Sequence, residues 1–136
     1  MVSEMSVWGP GVFDNDDALD WLYDLAETGS IARVSAALDV VLSNGSGELE
    51  LADGHIALAA AEVVAALHGS IGLDLPEEVE EWVGDKTLPD DELRAKAEKA
   101  VHQILENSPV KSNWVDDEMH ETWEKILQDL LRRLEA

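Results

Sequence analysis

The chain has 136 residues, enough for one domain that buries roughly two-thirds of its unfolded surface, and it has no cysteine, which excludes disulfides, thiolate catalysis and cysteine-ligated zinc. Thirty acidic residues against nine basic ones give a net charge of −21, which argues against nucleic acid and anionic lipid as partners, since both require clustered Lys and Arg. The charge is uneven: residues 1–85 carry eighteen acids and one base, Arg33, while residues 86–136 carry twelve acids and eight bases.

The segment from Trp8 to Trp21 combines a turn, a helix start and three large aromatics. Gly9 and Gly11 flank Pro10, so a sharp reversal through positive φ is expected there. Asp14 is the expected N-cap, with Asp17 in the capping-box place three residues later. Ala18, Trp21, Leu22 and Leu25 then recur at helical spacing, and Asp17, Asp20, Asp24 and Glu27 form an acidic stripe. On this reading Trp8, Gly9, Gly11, Phe13, Asp14, Asp17 and Trp21 form a structural motif.

After Thr28-Gly29, Ser30 is expected to cap a second helix carrying Ile31, Val34, Leu38, Val41 and Leu42, which Asn44-Gly45-Ser46-Gly47 should break. Glu48 to Leu51 reads as an extended linker and Asp53 as the next cap. From Gly54 to His68 the pattern is apolar nearly all round, with many alanines, which places that helix at the centre of a bundle.

Gly69 should close it, Pro76 should open a short acidic helix from Glu77 to Val83, and Gly84 should end that one. Pro89 is expected at the first position of a helix running to about Asn107 on Leu93, Ala97, Ala100, Val101 and Ile104. Asn107-Ser108-Pro109 stops it. The last helix, about Val115 to Leu134, uses Met119, Trp123, Ile126, Leu127, Leu130 and Leu134, with Arg132 and Arg133 at its C-terminal end. The expected architecture is all-α: one domain over residues 1–136, an irregular or orthogonal bundle of five to six helices around the Ala-rich one.

The run W-G-x-G-x-F-D-N-D-D-A-x-D-W resembles the opening of a bacterial family, domain-of-unknown-function family 4259. Two further segments are similar to that family: Asp53 to Leu67, and Ile104 to Ser108 followed by Trp114. The stretch from Ser108 to Trp114 departs from the family's pattern of Ser-Glu-Leu, a polar spacer and Trp. The resemblance spans nearly the whole chain and brings no activity with it.

Among patterns that could carry chemistry, Asp14-Asn15-Asp16-Asp17 suggests calcium, but an EF-hand loop would need an oxygen ligand at Ala18, a glycine at Leu19 and a glutamate at Leu25. Helix capping accounts for these acids better. Glu98, His102 and Glu106 form an acid–His–acid row at four-residue spacing, and Asp116, His120 and Glu124 repeat it on the last helix. Facing rows could bridge a metal, as carboxylate and histidine ligands do in helical bundles, although in a chain that is 29% charged such rows arise easily by chance. His55 and Glu62 share a face of the Ala-rich helix and His68 lies near its end, but no nucleophile, phosphate loop or dinucleotide fingerprint accompanies them.

The leading reading is therefore a non-enzymatic interaction module, without cofactor, that binds a basic partner protein in the manner of an immunity protein or nuclease inhibitor. Asp17, Asp20, Asp24, Glu77, Glu78 and Glu81 would steer the partner, with Trp82 as an exposed anchor among acids. The alternatives are a metal-binding protein or enzyme built on the histidine rows, or a purely structural domain. Self-repulsion at this charge favours a monomer or weak dimer. With no basic-then-apolar leader and no long apolar span, the expected location is the cytoplasm.

Overall fold

The computed structural model describes residues 11–48, 50–70, 75–84, 91–106, 111 and 118–135. These form six helices and, among the described residues, no strand: α1 (Asp16–Thr28), α2 (Ile31–Glu48), α3 (Leu51–Leu67), α4 (Glu77–Gly84), α5 (Asp91–Glu106) and α6 (His120–Glu135). The all-α expectation holds.

The first helix starts one residue later than Asp14 implies. Asn15 is the N-cap, with extended backbone at φ −155° and ψ 154°; its Oδ1 accepts from the Ala18 N–H at 2.8 Å, and its Nδ2 donates to the Val12 carbonyl at 3.2 Å. Asp14 instead closes the preceding turn. Its Oδ2 accepts from the Gly11 N–H at 3.0 Å, and its own N–H donates to the Gly11 carbonyl at 3.1 Å. Gly11 does not use positive φ, contrary to expectation; a Cβ there would meet the Asp14 carboxylate at 2.7 Å. Val12 and Phe13 are buried in the core, while Trp8 and Gly9 lie outside the described residues.

α2 runs straight through Asn44 to Gly47, where a break was expected, and reaches Glu48. Two glycines in a helix cost roughly 1 kcal/mol each relative to alanine, a penalty rather than a stop. The expected linker over 48–51 thus shortens to a corner, because α3 begins at Leu51 with Glu50 as its cap residue; Asp53 falls inside the first turn. Gly69, at φ +93°, then ends α3 in a Schellman arrangement. The Ser70 N–H reaches back to the Ala65 carbonyl and the Gly69 N–H to the Ala66 carbonyl, both at 2.9 Å.

α3 is the hub. Gly54, His55 and every residue from Ala57 to Leu67 are buried, and α3 contacts all five other helices. α2 and α5 pack together and against it, α6 packs on α5 and α3, and α1 and α4 pair with each other on α3. Alanine makes this possible, since its small side chain allows helix axes to approach closely on several sides at once. Lys96 ties α5 to α2 through the Ser35 hydroxyl at 2.8 Å and Asp39 at 2.9 Å, and Gln103 Nε2 donates to the Val41 carbonyl at 2.9 Å.

α6 has its core stripe on Trp123, Leu127, Leu130, Leu131 and Leu134. Met119, expected on that stripe, is an exposed turn residue whose carbonyl accepts from the Trp123 N–H. Pro89, Asn107 to Pro109 and Val115 lie outside the described residues, so the helix ends assigned to them do too.

Candidate functional site

α1 turns Ala18, Leu22 and Leu25 inward, and α4 does the same with Val79, Trp82 and Val83. Burying those faces leaves the opposite, acidic faces of both helices outward. Between them runs a groove of about 480 Å³, lined by Tyr23, Ala26 and Glu27 from α1 and by Glu78, Glu81 and Trp82 from α4. Helical spacing explains the set: Tyr23 and Glu27 are four apart, as are Glu78 and Trp82, so each pair shares a side of its helix. Tyr23 is 43% exposed, an aromatic standing on the polar side of α1.

The electrostatics are one-sided. α1 carries Asp16, Asp17, Asp20, Asp24 and Glu27 and α4 carries Glu77, Glu78, Glu80 and Glu81, with no basic residue on either helix. Elsewhere the bases are largely engaged, Arg94 with Asp91, Lys96 with Asp39, Lys125 with Glu121, and Arg133 with Glu62. Among the described residues, Asp24 of the α1–α4 face pairs with Arg33 at 3.2 Å on the solvent side, and Asp17 lies 3.8 Å from the His55 imidazole.

Trp82 corrects one expectation. It is 8% exposed and belongs to the core, so it is not an exposed anchor; only part of it reaches the groove wall. Its position explains this, since Val79 and Val83 on either side put it on the inward face of α4. The aromatic that does stand out is Tyr23, which the sequence reading passed over. A large aromatic between Asp20 and Asp24, on the side of the helix where only polar residues are needed, was the available signal. Trp114 lies outside the described residues, and Trp21 is partly buried against the core.

The described residues of the two histidine rows do not converge. His102 and Glu106 are exposed on α5, and Glu98 is half-buried. On α6, the His120 ring stacks on Trp123 with centroids 6.0 Å apart, and its Nε2 lies 3.9 Å from Glu124. Asp116 lies outside the described residues, and no three His, Asp or Glu side chains among the described residues form a metal-holding group.

His55 and Glu62 are both buried but serve different contacts. His55 Nδ1 is 3.8 Å from Asp17 Oδ2, beyond hydrogen-bond length. Burial pushes the imidazole pKa down, with the Asp17 carboxylate opposing that shift. Glu62 receives a two-pronged contact from Arg133 of α6, at 2.8 and 2.9 Å. Arg133 also bonds Asp129 at 2.9 Å, and these carboxylates hold its guanidinium charged. The pair joins α3 to α6 and engages both Glu62 oxygens.

No helix among the described residues is long and apolar enough to cross a membrane. The family model described as "Domain of unknown function (DUF4259)" matches residues 6–125. No curated protein and no solved structure matches the chain significantly.

Proposed function

We propose that this chain, which belongs to the DUF4259 family by the match over residues 6–125, is a non-enzymatic interaction module that binds a basic partner protein through its α1–α4 face. The observation that carries this reading is the large excess of acid on that face. Nine carboxylates stand on two adjacent helices that carry no basic residue of their own, and three of them, Glu27, Glu78 and Glu81, line a groove large enough to admit partner side chains. A field of one sign steers an oppositely charged protein and speeds its encounter, most strongly at low ionic strength. Phosphate and anionic lipid are repelled by the same field, which leaves a basic protein as the fitting partner, bound as immunity proteins and nuclease inhibitors bind theirs.

The test is capture from the native cell's lysate at low salt with tagged protein, eluted by steps of increasing salt, after metal analysis of the bait. A discrete basic protein released at moderate salt from metal-free bait is the expected result. Stoichiometric metal on the bait with no basic protein captured would overturn the reading.

A further inference from the structure

We infer that the α1–α4 groove receives an arginine side chain of the partner, an inference that rests on the interaction-module reading and specifies its contact. The groove presents two unlike surfaces. Tyr23, Ala26 and the reachable part of Trp82 make an apolar wall, and Glu27, Glu78 and Glu81 supply carboxylates. Its volume of about 480 Å³ lies within the roughly 300–1,000 Å³ of pockets that enclose small ligands, ample for one long side chain.

Each class of occupant meets these surfaces differently. A purely apolar segment would strip water from Glu27, Glu78 and Glu81 with nothing to pair them, which is costly. A bare cation would use the carboxylates and leave the Tyr23 ring and Ala26 idle. A lysine brings an apolar stem, but its compact, strongly hydrated ammonium gains little from a ring face. Arginine fits both surfaces. Its methylene stem can lie along Ala26, its planar guanidinium stacks on an aromatic such as Tyr23, and its fork of N–H donors matches carboxylates two at a time.

The probes are hexa-arginine and hexa-lysine peptides, equal in charge, titrated at equal low salt with calorimetric detection. Hexa-arginine should bind roughly fivefold or more tightly than hexa-lysine, the scale of one cation–π contact. Tyr23→Ala, at a position 43% exposed, should abolish that preference without changing any charge, in a variant whose thermal melt is first shown to be cooperative. Glu81→Gln should reduce it, whereas Asp20→Asn, a charge loss on α1 outside the groove, should weaken both peptides alike. Equal binding of the two peptides, or a preference that survives both Tyr23→Ala and Glu81→Gln, overturns the arginine site and leaves the acidic module standing. Binding of neither peptide overturns both.

Discussion

Single residues in this protein matter most where a polar group has been taken out of water. Glu62 is 4% exposed and Arg133 of α6 reaches it with two hydrogen bonds, so removing one partner strands the other. Arg133→Met should cost about 3 kcal/mol in urea unfolding, because a buried carboxylate then lacks its counter-charge. The double variant Glu62→Leu, Arg133→Met should recover most of that loss; a double variant as unstable as Arg133→Met would show that the pair contributes through packing instead.

His55 behaves differently, since its burial disfavours the charged form more than nearby Asp17 favours it. The unfolded chain takes up a proton near pH 6.5 and the folded chain only at lower pH. Between those values the unfolded state holds more protons, so this contribution to stability is complete above about pH 6.5 and drains away as pH falls toward the folded value. The stability advantage of the parent over His55→Gln should therefore shrink between about pH 7.5 and pH 5.5. An advantage constant across that range would contradict the assignment. Sequence pattern placed His55 and Glu62 on one face of one helix, but their partners, Asp17 and Arg133, are 38 and 71 positions away, and no local spacing announces them.

At the scale of elements, α3 was the most legible part of the chain and α2 the least at its end. A helix apolar on every side can only be surrounded, and α3 is contacted by all five others. Ala60 is fully buried at that centre. Ala60→Asp should leave the protein without cooperative unfolding, since an unpaired charge would sit among five packed helices; a melt matching the parent would remove α3 from the core. The C-terminal extent of α2 was not legible because Asn, Ser and Gly report local preference only, and the helix continues through all of them to Glu48. At the start of α1 the ambiguity was finer. Asp14 and Asn15 are both good caps, and which one serves is settled by the turn in which Asp14 is engaged with Gly11.

Across the whole molecule, the dominant feature is a charge imbalance that folding sharpens. Several described bases of the C-terminal part are engaged with acids away from the α1–α4 face, among them Arg94 with Asp91, Lys96 with Asp39, Lys125 with Glu121 and Arg133 with Glu62. The excess of acid in residues 1–85 was countable in the sequence; the groove was not, because Tyr23 and Trp82 meet only when α1 and α4 pair on α3. Capture of basic partners at low salt, compared among three proteins, tests most directly whether the α1–α4 face is the binding surface. One is the parent, one carries Asp20→Asn, Glu27→Gln, Glu78→Gln and Glu81→Gln, and one carries the same number of neutralised acids elsewhere, at Glu92, Glu106, Glu118 and Glu135. A binding face on α1 and α4 predicts that a basic protein bound by the parent is lost from the first variant and kept by the second. Equal retention by all three, or retention that follows total charge regardless of face, would contradict it.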